Sequence, residues 1–342
     1  MENSLYKKSL LSLSDINKNE INNIIKLAYK LKKKKKYKKE KPFLKKKKII
    51  LIFELNSTRT RCAFEVAAYD QKANITYLNV RDSHIGVKES IEDTIKIFNN
   101  MYDAIQYRGP KHATIEEIKK YSKIPVWNGL TDKFHPTQIL SDLLTIKENS
   151  KKNKKFSEIK VAYVGDCKNN IANTLLEASY ILGININMIS NKKFLPNYKK
   201  INSCLKKTNK KHIKILCTEN LDEGLENVDF IYTDSWVSMN ENKKNWINKI
   251  KLLKKYKINS KTLKMTNNKK VKILHCLPAI HDNKTKLSKN IFRKYNIKNG
   301  LEITDKVFKS KNSLVFKQSE NKMHIIKALM ILSLKKNIKI KI

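Results

Sequence analysis

Short apolar runs alternate along this chain with segments whose apolar residues recur at helical spacing. In the first half, the runs at 49–53, 75–80, 104–107 and 125–127 predict strands, with helices at 60–69, 89–100 and 114–121 between them. An earlier segment, 14–31, reads as a helix opened by Ser14 and Asp15 and striped by Ile16, Ile21, Ile24, Ile25, Leu27, Ala28 and Leu31. The lysine-rich stretch 32–48 reads as a frayed helix end and a solvated loop. Residues 138–146 predict an apolar helix, and the polar stretch 148–155 a domain boundary. A second series follows, with strands at 159–164, 184–189, 213–217, 229–233 and 271–274 and helices at 172–182, 198–207 and 243–257. A closing helix at 321–334 carries Met323, Ile325, Ile326, Ala328, Leu329 and Leu332.

Strands that alternate with helices form parallel sheets covered on both faces. The expected fold is therefore α/β, with two doubly wound domains, parallel sheets flanked by helices and an active-site cleft between them. The boundaries expected are 1–147 and 148–319, with residues 320–342 returning to the first domain. At 342 residues, each domain is long enough to bury its own core.

Charge changes this picture less than its size suggests. A net charge of +42 would ordinarily direct attention to nucleic acid or an anionic membrane. Here the excess is spread along the chain as Lys-Lys and Lys-Asn runs, beside abundant Ile and Asn and only 7 Gly. It reads as a drift in amino-acid usage, so no specific nucleic acid and no membrane partner is expected. The five cysteines form no C-x-x-C pair and read as reduced thiols of a cytoplasmic protein. No apolar run approaches the ~18 residues of a membrane span.

Arginine is scarce, at positions 59, 61, 81, 108 and 293 among 73 basic residues, so each arginine is informative. Two of them lie in Ser57-Thr58-Arg59-Thr60-Arg61, between the first strand and a helix. A helix start offers free backbone N–H groups and the positive end of its dipole, and guanidinium groups add paired donors, so this stretch is a candidate phosphate cradle. Other polar clusters also fall at strand ends, where open α/β sheets bind ligands. They are Arg108, His135-Pro136-Thr137-Gln138, Gly165-Asp166 through Asn169, Asp234 through Met239, and His275-Cys276-Leu277-Pro278.

The first half supplies Ser57, Thr58, Arg59, Thr60, Arg108, His135 and Gln138, which suit an anion with a carbonyl beside it. The second half supplies Asn169, Asp234, Ser238 and Cys276, which suit an amine or an amino-acid zwitterion. Taken singly, His135 is a cap, Cys276 a buried thiol and Asp234 a turn residue. Their joint placement points instead to group transfer from a phosphorylated donor to an amine.

Ser57-Thr58-Arg59-Thr60, His135-Pro136-Thr137-Gln138, Asp234 through Ser238-Met239 and His275-Cys276-Leu277-Pro278 resemble the signature motifs of the aspartate/ornithine carbamoyltransferase family. The resemblance runs from about Leu5 to the end. The Ser-Met pair and the Cys of His-Cys-Leu-Pro point to its ornithine branch. It implies that carbamoyl phosphate is held by Ser57, Thr58, Arg59, Thr60, Arg108, His135 and Gln138, with His84, Cys276, Leu277 and Lys322 completing the set. It gives Arg108, His135 and Cys276 the catalytic part, and Asn169, Asp234, Ser238 and Met239 the binding of L-ornithine. The products implied are citrulline and phosphate, in arginine biosynthesis. No metal or other cofactor is implied. The family also implies a homotrimer in which the loop carrying His84 and Lys88 reaches a neighbour's site.

The chain departs from the family at Asn240, where glycine is usual after Ser-Met, at Lys322, where arginine is usual, and at His84, where several relatives carry Gln. These departures leave two alternatives: a carbamoyltransferase for another amine, such as putrescine or an acylated ornithine, and a decayed, weakly active homologue.

Overall fold

The structure is a computed structural model that describes residues 3–151, 154–197, 199, 201, 213–237 and 243–338. The chain divides into two compact units, residues 1–147 with 319–342, and 148–318. Each holds one parallel sheet.

In the first unit, β1 (Lys48–Phe53), β2 (Asn74–Asn79), β3 (Ala104–Arg108) and β4 (Val126–Leu130) are ordered β2-β1-β3-β4. β1 is buried from Ile49 to Phe53, the continuous apolar run expected of a central parallel strand. Ile50, Ile52, Ile105, Tyr107 and Val126 form one core with Ile95 of α3 (Ile91–Met101) and with Ile115 and Ile118 of α4 (His112–Tyr121). Elsewhere in the unit, Phe64 of α2 (Thr58–Asp70) stacks on Trp127, whose indole N–H donates to Ser333 of the closing helix Val315–Leu334. Alternation along β3 puts Gln106 and Arg108 on the face opposite Ile105 and Tyr107.

The N-terminal helix differs from its sequence expectation at both ends. Asn17 caps α1 (Lys18–Lys36), accepting from Asn19 and Glu20 N–H while the Glu20 carboxylate accepts from Asn17 N–H. Ser14 and Asp15 lie instead in a preceding single 3-10 turn. The helix then continues through its lysines to Lys36, because lysine is a good helix former and favours the negative end of the dipole.

In the second unit, β5 (Lys160–Val164), β6 (Asn185–Ile189), β7 (Ile215–Thr218), β8 (Phe230–Thr233) and β9 (Lys272–His275) are ordered β7-β6-β5-β8-β9. α6 (Asn170–Leu182) joins β5 to β6 and ends at Gly183, whose φ of 86° is the left-handed stop that glycine adopts without penalty. The expected helix at 198–207 lies mostly outside the described residues. The one at 243–257 is a core segment, Trp246–Leu253, between single 3-10 turns. Helices at Leu221–Leu225, Ser260–Lys264, Lys286–Tyr295 and Asp305–Phe308 had no sequence expectation; in Lys286–Tyr295 the buried residues are only Ser288 and Ile291, a stripe too sparse to read. No described helix is long and apolar enough to cross a membrane.

In each unit the strand order reverses once, between β1 and β3 and between β5 and β8. A crevice beyond the strand ends at such a reversal is where doubly wound sheets take ligands.

Candidate active site

The reversal in the first unit collects the cradle. Ser57 has extended backbone, and its hydroxyl caps α2 by accepting from Thr60 N–H at 3.2 Å. Thr58 is exposed, Arg59 partly buried and Thr60 buried. Arg108 is the last residue of β3, so the strand runs one position further than the sequence reading, which ended it at 107. It lies at a register shift: Tyr107 pairs with Asn128 while Arg108 pairs with Leu130, leaving Gly129 as the extra residue. Such a bulge re-aims the strand end. A Cβ on Gly129 would lie 2.2 Å from Gln106 Nε2, so a larger residue there would have to displace that buried side chain. Arg108 reaches Thr60 Oγ1 at 3.5 Å.

His135 and Gln138 arrive from the start of α5 (Pro136–Asn149), after β4. Lys322 enters from the closing helix and is buried with them. Its ammonium lies 3.1 Å from Thr60 Oγ1, 3.3 Å from His135 Nε2 and 3.2 Å from Gln138 Oε1. An ammonium only donates, so His135 Nε2 accepts and the ring proton sits on Nδ1. Burial, followed by the charges of Lys322, Arg108 and Arg59, holds His135 well below its ordinary pKa, and the ring is neutral at pH 7. The result is a pocket of positive charge with a neutral imidazole in it, suited to a phosphate with an adjoining carbonyl.

The reversal in the second unit collects the other cluster. Gly165 follows β5 with φ 126°, and a Cβ there would meet the Trp236 indole nitrogen at 2.9 Å. Asn169 caps α6 through its Oδ1, which accepts from Ala172 N–H. Its Nδ2 donates to the buried Tyr163 hydroxyl at 2.8 Å and to Asp234 Oδ2 at 3.3 Å. Asp234 Oδ1 accepts from Ser235 N–H and from the Cys276 thiol, each at 2.8 Å. Burial raises the Asp234 pKa, opposed by the hydrogen bonds it accepts from Cys276 and Ser235.

Behind Cys276, the backbone is fixed by a buried relay. Leu277 has φ 58°, uncommon for a side chain of its size, and its N–H donates to His275 Nδ1 at 2.9 Å. That leaves the His275 proton on Nε2, which faces Glu302 Oε1 at 3.2 Å with both side chains fully buried. Glu302 Oε1 also accepts from Ile280 N–H, and Gln318 Oε1 accepts from His275 N–H.

The structure thus brings together Thr60, Arg108, His135, Gln138 and Lys322, and separately Asn169, Asp234 and Cys276. His84 is exposed on its loop and, among the described residues, no hydrogen bond or ion pair links it to either cluster; its carbonyl accepts from Val87, Lys88 and Glu89. Ser238, Met239 and Asn240 lie outside the described residues. Tyr163, Glu302 and Gln318 were missed by sequence reasoning because each is a single buried side chain within or beyond an apolar segment, with no motif around it.

Two family profiles match the chain. That of the "Aspartate/ornithine carbamoyltransferase, carbamoyl-P binding domain" covers residues 8–148, and that of the "Asp/Orn binding domain" covers residues 157–333. The chain belongs to the aspartate/ornithine carbamoyltransferase family.

Within that family it is 55% identical over 334 residues to the ornithine carbamoyltransferase of Buchnera aphidicola subsp. Baizongia pistaciae, covering 98% of both chains. It is 51% identical to that of Blochmanniella floridana, covering 98% of this chain and 96% of the relative. Among solved structures, the ornithine carbamoyltransferase from Pyrococcus furiosus matches at 31% identity and TM-score 0.85, over 97% of this chain and 98% of the other. The anabolic ornithine carbamoyltransferase from Campylobacter jejuni matches at 33% identity and TM-score 0.81, over 94% and 98%. The family profiles assign carbamoyl phosphate to the segment carrying the cradle and the amino-acid acceptor to the segment carrying Asp234.

Proposed function

We propose that this chain transfers the carbamoyl group of carbamoyl phosphate to the side-chain amine of L-ornithine, giving L-citrulline and phosphate. The observation that carries the reading is the buried convergence of Lys322 on Thr60, His135 and Gln138 at the start of α2. Carbamoyl phosphate, with a dianionic head and a carboxamide tail, matches its cations and its mixed donors and acceptors.

The phosphate is taken by Ser57, Thr58, Arg59 and Thr60 with Lys322, and the carbonyl oxygen by Arg108 and by His135, whose ring is free to donate once the Lys322 ammonium turns to the phosphate. The neutral amine of ornithine attacks the carbamoyl carbon, the carbonyl oxygen gathers charge, the carbon–oxygen bond to phosphate breaks, and the proton released by the amine passes to the departing phosphate. Fixed cations and donors at the oxygen are the largest contribution to such a reaction. Asn169, Asp234, Ser238 and Met239 hold the amino-acid end of ornithine, and Cys276 and Leu277 adjoin its side-chain amine and the carbamoyl group.

The same reading takes the chain to be a cytoplasmic homotrimer with His84 serving a neighbouring subunit, acting in arginine biosynthesis. The thiols of Cys62, Cys167, Cys217 and Cys276 are in the reduced form, which supports the compartment. Comparing ornithine, putrescine, N-acetylornithine and aspartate as acceptors tests the substrate. Ornithine is expected to react at least tenfold faster than the rest, and a preference for putrescine would move the activity to another amine. Sedimentation of the purified protein checks the trimer.

A further inference from the structure

Asp142 lies one turn beyond Gln138 on α5 and is buried with it. Its carboxylate Oδ1 accepts from Gln138 Nε2 at 2.9 Å, while Gln138 Oε1 accepts from the Lys322 ammonium at 3.2 Å. A carboxylate can only accept and an ammonium can only donate, so the two partners together fix which end of the Gln138 amide is oxygen. The oxygen faces the cluster of Thr60, His135 and Lys322.

We infer that Asp142 is a positioning residue that keeps the Gln138 carbonyl turned toward the donor pocket, where it accepts from the N–H2 of a carbamoyl group. The inference rests on the carbamoyl phosphate reading of the cradle and adds a residue to it. Lys322 alone cannot keep the amide oriented once the pocket is filled, because a bound phosphate competes for the ammonium donors. Asp142 is beyond that competition and its bond to Nε2 persists. The orientation matters for the carboxamide and not for the phosphate: a flipped amide would set N–H2 against N–H2, whereas phosphate meets the arginines and the helix start.

The test is equilibrium binding of phosphonoacetamide, which carries a carboxamide, and of inorganic phosphate, which does not, to the full-length wild type, Asp142→Ala and Asp142→Asn. Asp142→Ala is expected to weaken phosphonoacetamide roughly tenfold and phosphate less than twofold, the loss of one buried charge-assisted hydrogen bond appearing on one ligand only. Asp142→Asn is nearly isosteric, and its oxygen can still accept, so it is expected to keep the fold and lose only about threefold on phosphonoacetamide. Equal weakening of both ligands, or no change in either, overturns the inference. Failure of the wild type to bind phosphonoacetamide while it binds phosphate would instead overturn the carbamoyl phosphate reading on which it rests.

Discussion

The Lys322 ammonium sits 3.3 Å from His135 Nε2, so this lysine, at the position where the sequence resemblance predicts arginine, is buried inside the cradle and sets the tautomer of its histidine. A point charge here does part of what a planar fork would do, since it cannot hold two phosphate oxygens in parallel. Lys322→Arg is expected to lower the KM for carbamoyl phosphate roughly three- to tenfold, the gain of a second charge-assisted bond. Steady-state kinetics with carbamoyl phosphate varied would check this, and an unchanged KM would show that the lysine already makes every contact the site uses.

Acid should weaken the fold earlier than carboxylate chemistry alone would. Burial first, and nearby positive charge second for His135 and His324, hold the pKa of His135 well below 6.5 and that of His324 at about 3; burial also lowers that of His112. The unfolded chain takes up protons near 6.5 where the folded chain does not, so stability is lost as pH falls through 6.5 and continues to fall toward the folded values. Above that pH these groups contribute no slope. Each histidine adds about 1.4 kcal/mol per pH unit inside its window. Urea midpoints compared at pH ~7.5 and ~5.5 should therefore drop, and His324→Gln should drop less; identical midpoints for the wild type at both values would refute the assignment.

Asn169 has two separable duties, capping α6 through Oδ1 and meeting Asp234 through Nδ2. Asn169→Ala should lose about 1 kcal/mol of stability together with ornithine affinity. Asn169→Ser retains a capping oxygen, so it should hold its thermal midpoint while its ornithine KM rises several-fold. If the serine variant kept the wild-type KM, Asn169 would be a cap and nothing more.

Glu302 accepts from both the His275 ring and Ile280 N–H in a fully buried position. Its removal strands two buried donors, so Glu302→Ala should cost roughly 2–6 kcal/mol. Glu302→Gln retains an acceptor oxygen and should cost less. Denaturant unfolding would separate them, and equal stability of all three proteins would mean that the relay behind Leu277 holds nothing in place.

Much of this was legible in the residues. Apolar runs such as 49–53 announce central parallel strands, and Ser57 before Thr58-Arg59 announces a capped helix start, because strand burial and capping are local chemistry. Convergence is different. Arg108 depends on a bulge that Gly129 permits, Lys322 returns from a helix far along the chain, and Glu302 reaches His275 across 27 positions. Those partners are set by tertiary packing, which leaves no spacing to read. Asp142 stands inside a run whose apolar stripe predicts a helix well and conceals the one carboxylate whose bond to Gln138 orients it. The lysine run after Leu31 misleads in the other direction, since charge suggests a loop where propensity and dipole favour about one and a half more helical turns.

The most direct measurement is citrulline formation from carbamoyl phosphate and ornithine by the purified wild type and Arg59→Ala. The wild type is expected to turn over and saturate with both substrates, and the variant to lose about a hundredfold or more in kcat/KM with its fold intact, as removal of a charge that stabilises the developing phosphate and oxyanion requires. A folded wild type that makes no citrulline, or an Arg59→Ala variant as active as its parent, would contradict the account.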